Sequence, residues 1–110
     1  MMNALDRSRD ALFVERLHAK TVARGLAWAP SEHEGRFCVE VGDWLVEIGE
    51  GGADYGSEIL ICGKDGKALE LLSPGPSKES RQLFAQTYEG ARRIALGVDA
   101  VIDSLIESLG

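Results

Sequence analysis

Residues 36–48 read Arg36-Phe37-Cys38-Val39-Glu40-Val41-Gly42-Asp43-Trp44-Leu45-Val46-Glu47-Ile48, and the architecture follows from how they pair. Polar and apolar side chains alternate along Arg36–Val41 and, in part, along Trp44–Ile48. Period-two alternation marks a half-buried strand. Gly42-Asp43, with glycine first, fits a type II′ turn, whose twist matches that of the strands it joins. A two-residue loop sets Val41 opposite Trp44, Val39 opposite Val46 and Phe37 opposite Ile48. Those six side chains share one face, and Cys38, Glu40, Leu45 and Glu47 take the other. A slip of one residue destroys this sorting, so the register is well specified.

A second hairpin pairs Ser57–Gly63 with Lys67–Leu72 across Lys64-Asp65-Gly66. A two-residue loop at Asp65-Gly66 sets Leu60 opposite Leu71 and Ile61 opposite Glu70. A three-residue loop, with Gly66 in the left-handed region, sets Ile61 opposite Leu69 and Ile59 opposite Leu71. The second register keeps one face apolar and is the one adopted. The inner face is then Phe37, Val39, Val41, Trp44, Val46, Ile48, Ile59, Ile61, Leu69 and Leu71. The Trp44 indole N–H needs an acceptor or a place at the rim. The outer face mixes Glu40, Glu47, Glu58 and Glu70 with Cys38, Leu45, Leu60, Cys62, Ala68 and Leu72, which is apolar for a solvated side.

Helices flank the sheet. Over residues 4–24, Leu5, Leu12, Phe13, Leu17 and Thr21, with Val14, recur at helical spacing and should face the sheet. Arg9, Arg16, Lys20 and Arg24 fall on another side, read as a solvated face rather than a docking stripe. Gly25 is the expected left-handed cap. His18 has no visible partner and reads as a surface or boundary residue. Trp28 should close one end of the core. Ser31-Glu32-His33-Glu34-Gly35 is a polar turn, whose adjacent side chains cannot converge on a metal. Gly49–Gly56 reads as a flexible link between hairpins. It is not a phosphate loop, because a strand follows it and Glu50 and Asp54 repel anions.

Ser73-Pro74-Gly75-Pro76 ends the sheet, Ser77 fits an N-cap, and Glu79 suits the helix dipole. A helix follows from Lys78 to about Leu96. Phe84, Tyr88, Ala91, Ala95, Val98, Ile102, Leu105 and Leu109 are spaced alternately four and three, a heptad seam. One unbroken helix would run about 48 Å, long for a compact domain of this size. Gly97-Val98-Asp99 supplies a stop and a start, so a break is expected, with Asp99 capping Ala100–Leu109. An unbroken seam would point to a helix-mediated dimer.

The chain has 110 residues, 45% hydrophobic and 27% charged. This is the composition of one globular domain. The predicted fold is α+β: a four-stranded antiparallel β-meander with N-terminal and C-terminal helices packed on one face. The formal net charge is −6, which runs against direct nucleic-acid binding. Residues 1–25 carry five basic and three acidic groups, and residues 26–110 carry seven and fifteen. Cys38 and Cys62, the two cysteines, lack metal-ligand spacing and read as reduced, small hydrophobes. Met1–Arg7 has no apolar core of a signal peptide, and no apolar run nears the ~20 residues of a membrane span. A cytoplasmic, membrane-free protein is expected.

Two stretches carry a resemblance. One is Ala91-Arg92-Arg93-Ile94-Ala95-Leu96-Gly97-Val98-Asp99, followed by the alternation of Ile102-Asp103-Ser104-Leu105-Ile106-Glu107. The other is Asp54-Tyr55 with Ile59-Leu60-Ile61 and Asp65-Gly66, preceded by Gly25-Leu26-Ala27-Trp28. Together they resemble a group of short uncharacterised bacterial proteins of helix, β-meander, helix organisation. The likeness covers most of residues 12–109, and its most specific part is the ARR-x-ALGVD string. It implies a bacterial origin and this element order, and no activity, cofactor or catalytic residue. At the level of fold alone, the plan is similar to small acidic dimeric secretion chaperones.

The function expected is a non-catalytic protein-interaction module that self-associates or binds another protein, such as an effector or a toxin. Its candidate surface is the outer sheet face: Leu45, Glu47, Leu60, Cys62, Glu70 and Leu72. Candidates for catalysis are Cys38, Cys62, His18, His33 and the outer-face carboxylates. No local spacing sets a histidine beside a cysteine, and nothing encloses the carboxylates. Binding of nucleic acid through the first helix and Arg92-Arg93 conflicts with the acidic total.

Overall fold

The computed structural model describes residues 9–51 and 56–110. In order, these form α1 (Arg9–Val22), β1 (Ala29–Pro30), β2 (Phe37–Val41), β3 (Trp44–Glu50), β4 (Ser57–Gly63), β5 (Ala68–Leu72), α2 (Lys78–Ala95) and α3 (Val98–Leu109). The fold is α+β, with one antiparallel sheet in the order β1-β2-β3-β4-β5. No helix among the described residues is long and apolar enough to cross a membrane.

The hairpin of β2 and β3 has the predicted register: Val41 opposite Trp44, Val39 opposite Val46 and Phe37 opposite Ile48. Gly42 turns the chain at φ 62°. The sheet has five strands, not four. Ala29 and Pro30 pair with Cys38 and Phe37 along the free edge of β2. Proline has no N–H to donate, and an edge strand tolerates that loss. β3 also runs further than its alternation indicated. Gly49 and Glu50 pair with Glu58 and Ser57, so β3 and β4 form one continuous ladder. The expected link shrinks accordingly. The Gly51 N–H donates to the Gly56 carbonyl at 2.6 Å, and residues 52–55 of that link lie outside the described set.

The turn between β4 and β5 has the three-residue form, but the strand pairing then changes phase. Gly66 has φ 87°, and its N–H donates to the Gly63 carbonyl at 2.9 Å. Cys62 pairs with Ala68, in the adopted register. A bulge follows, and beyond it Ile61 faces Glu70, Leu60 faces Leu71 and Ile59 faces Leu72. One extra residue flips the remaining side chains to the opposite side. Leu72, expected outside, is therefore 2% exposed and in the core, whereas Leu71, expected inside, is 49% exposed. Glu70 shares the side of Ile61 and is exposed, off the outer face.

The core joins helices to sheet. α1 contributes Val14 and Leu17, α2 contributes Phe84 and Ala91, and the sheet contributes Phe37, Val39, Val46, Ile48, Ile59 and Leu72. Leu12, expected to face the sheet, is exposed, and Leu5 lies outside the described residues. Thr21 packs against Gly90 of α2, where an added Cβ would sit 2.9 Å from its methyl group. Trp28 is buried as expected. Its indole N–H donates to the Thr21 hydroxyl at 3.0 Å, and that hydroxyl donates to the Leu17 carbonyl at 2.7 Å. Trp44 is half exposed, which leaves its N–H at the rim. Arg24, not Gly25, takes the left-handed conformation after α1, with φ 61°.

Ser77 caps α2, accepting from the Ser80 N–H at 3.2 Å. The break at Gly97 is present, with φ 62°. Gly97 itself, not Asp99, occupies the N-cap position of α3, and the helix begins at Val98. Asp99 is engaged elsewhere: its carboxylate accepts from the guanidinium of Arg24 and, at 2.6 Å, from that of Arg93.

Candidate interaction surfaces

The outer face of the sheet is built around Arg36, which precedes β2. Its side chain runs over the backbone of Gly49, where an added Cβ would lie 2.6 Å from Arg36 Cγ. The guanidinium donates to Glu47 at 2.5 Å and to Glu58 at 3.3 Å. Alternation brings the two carboxylates to one side, and Gly49 leaves the slot between them. Burial works to raise the Glu47 pKa. The hydrogen bonds from Arg36 and Ser31, together with the Arg36 charge, outweigh it and hold the carboxyl below its ordinary value. His33 Nδ1 lies 3.6 Å from Glu47.

Beside this network is a groove of about 230 Å³, lined among others by His33, Cys38, Leu45, Glu47, Leu60 and Cys62. Four of the six residues predicted as an interface thus come together: Leu45, Glu47, Leu60 and Cys62. Leu72 and Glu70 do not join them, because of the bulge. Burial, followed by the charge of Glu47, pushes both thiols above their ordinary value, whereas reactive cysteines are thiolates. Cys38 is opposite Glu47 and Cys62 opposite Leu45, so the two stand two strand spacings and two residues apart, roughly 11–12 Å. That exceeds disulfide reach, and both are free. His18 sits half-buried on α1. No cluster of three or more metal-ligating side chains exists among the described residues.

α3 is the second surface, and no residue of it is buried. Val101, Ile102, Leu105, Ile106 and Leu109 are all exposed. At 3.6 residues per turn they and Val98 fall on one arc of about 140°. Asp99, Asp103 and Glu107 line one border of the arc, and Ser104 and Ser108 line the other. The seam read from the sequence therefore divides. Its α2 half, Phe84 and Ala91 foremost, closes the core, and its α3 half is bare. The stop at Gly97 was the available signal: past a glycine in the left-handed region, the stripe no longer has to face the sheet. Asp99, held below its ordinary pKa by the Arg93 and Arg24 hydrogen bonds, ties the first turn of α3 to both other helices.

A third apolar feature lies at the hairpin-turn end of the sheet. Phe13 of α1 with Val41, Trp44, Val46, Ile61 and Leu69 lines a cleft of about 260 Å³. Trp44 and Leu69 are each more than half or half exposed at its margin.

No family model, curated protein or solved structure matches the chain.

Proposed function

We propose that the protein is a non-catalytic protein-interaction module that makes its contact through α3. The observation that carries this reading is a twelve-residue helix with none of its residues buried and five large apolar side chains exposed along one arc. Helices of about 12–15 residues are marginal in water on their own, and their stability in proteins comes from packing an apolar face. A partner surface supplies that packing for α3. At about 25 cal/mol per Å² of apolar area, covering the stripe is worth several kcal/mol.

The outer groove ranks second as a contact site, because the salt-bridged Arg36 already spans its carboxylates. In this reading α1 and α2 both cover the inner face and leave α3 as the projecting element. A protein partner is favoured over nucleic acid by the acidic total and by the pairing of Arg92 with Glu89, and of Arg24 and Arg93 with Asp99.

The test is site-specific photo-crosslinking in cells, with a benzophenone amino acid at position 105 and, as control, at exposed Gln82 of α2. The reading predicts a discrete protein adduct from position 105 that disappears when Ile102→Glu is added. No adduct at position 105, or the same adducts from both positions, would contradict it.

A further inference from the structure

We propose that the partner is a second copy of this chain, with α3 of each copy lying in the cleft beside α1 of the other. The proposal rests on α3 being the contact surface, as argued above, and names what it contacts.

Three observations point to this occupant. First, the chain carries two apolar surfaces that no described residue covers: the arc of α3 and the cleft floored by Val46 and Ile61. Second, their borders match in charge. On α1, Arg9, Arg16 and Lys20 lie within about 60° of Phe13 around the helix axis, with Asp10 at a similar angle on the other side; the three basic residues flank the side of α1 from which Phe13 lines the cleft. All three are exposed and make no ion pair among the described residues. α3 has no basic residue in its last turn, and its acidic border carries Asp103 and Glu107, also without ion pairs there. With that border against α1, the uncharged serine border, Ser104 and Ser108, comes toward Leu69 and its acidic neighbour Glu70. The reverse orientation would take Asp103 and Glu107 away from Arg9, Arg16 and Lys20 and toward a strand that carries Glu70 with Lys67 before it.

Third, Asp99 fixes where α3 points. Its bonds to Arg24 and Arg93 hold the helix base at the C-terminal end of α1, and no residue of α3 is buried against its own body. A second chain brings an α3 to the cleft without breaking that clamp. Exchange about a two-fold axis makes the contact twice, because each copy supplies both a helix and a cleft.

The experiment is light scattering of the purified full-length chain over a concentration series, with two variants at exposed positions. The wild type should have twice the 11.9 kDa chain mass and dissociate on dilution. Leu105→Glu and Leu69→Glu should each weaken the dimer at least tenfold. An equimolar mixture of the two should recover a dimer with one intact contact. Arg16→Glu should weaken association, and combining it with Asp103→Lys should restore it. A dimer lost with Leu105→Glu but indifferent to Leu69→Glu overturns docking in the cleft and leaves α3 as the contact, packed on its own equivalent. A monomer at every concentration, with position 105 crosslinking to a different protein, overturns the second copy and leaves the interaction reading standing. A monomer with no crosslink at position 105 overturns both.

Discussion

Arg36 reaches two glutamates only because Gly49 has no side chain. The guanidinium is 18% exposed and its partners Glu47 and Glu58 are 14% and 22% exposed, so water screens these pairs only in part. Arg36→Ala leaves two carboxylates close together without a cation, and we predict a loss of roughly 2–3 kcal/mol in urea unfolding. Gly49→Ala pushes the arginine off its slot, and a similar loss is expected. Glu47 adds a pH dependence. Its folded pKa is below the ordinary 4.5, so the unfolded chain binds more protons near that pH. The stability it contributes is complete above about pH 4.5 and is lost as pH falls through the folded pKa. Glu47→Gln should therefore flatten the acid limb of stability against pH, measured by denaturant titration from about pH 6 to about pH 3. Glu47 and Glu58 were legible as members of the same outer face, but not as neighbours, because no local rule sets the register between the hairpins. Their cation was not legible, because Arg36 precedes β2 and its slot lies in the part of β3 that alternation failed to extend.

At the scale of elements, what the sequence showed well were features with local rules. Gly42-Asp43 and Gly66 set turns by backbone conformation, and the pairs from Phe37–Ile48 to Val41–Trp44 followed from the first. The bulge in β5 has no such rule. Ala68-Leu69-Glu70-Leu71-Leu72 satisfies either phase, and the choice between Leu71 and Leu72 was made by burial in the core rather than by the loop. β1 was hidden for another reason: two residues ending in proline carry no alternation to detect. Gly97 was legible as a stop, and it makes a prediction. Its φ of 62° disfavours a Cβ, so Gly97→Ala should cost roughly 1 kcal/mol, read as a fall of several degrees in Tm. On α3 itself, Leu105 is exposed, so Leu105→Glu empties no core site within one chain. The stability of the isolated monomer should stay within about 0.5 kcal/mol of wild type, measured at a concentration too low for association.

For the whole molecule, charge and apolar surface are distributed in one pattern. A basic α1 flank borders an open cleft at the hairpin turns, and an acidic-bordered apolar helix stands clear at the C-terminus. Composition shows the charge split between residues 1–25 and the rest, but not its use, because Arg9, Arg16 and Lys20 acquire a setting only when Phe13 comes to line one cleft with Trp44 and Leu69. The leucines of the outer face are legible from strand alternation alone, whereas the apolar stripe of α3 continues the heptad spacing of α2 and so reads in sequence as part of one core-facing seam. The central claim is that α3 is a packed helix only when a partner covers it. Hydrogen–deuterium exchange of the full-length chain at high and low concentration measures this directly. The amides of residues 102–109 should exchange slowly when concentrated, and fast when diluted or in Leu105→Glu, while β3 and β4 stay protected throughout. Exchange in α3 that is independent of concentration and unchanged by Leu105→Glu would contradict the account.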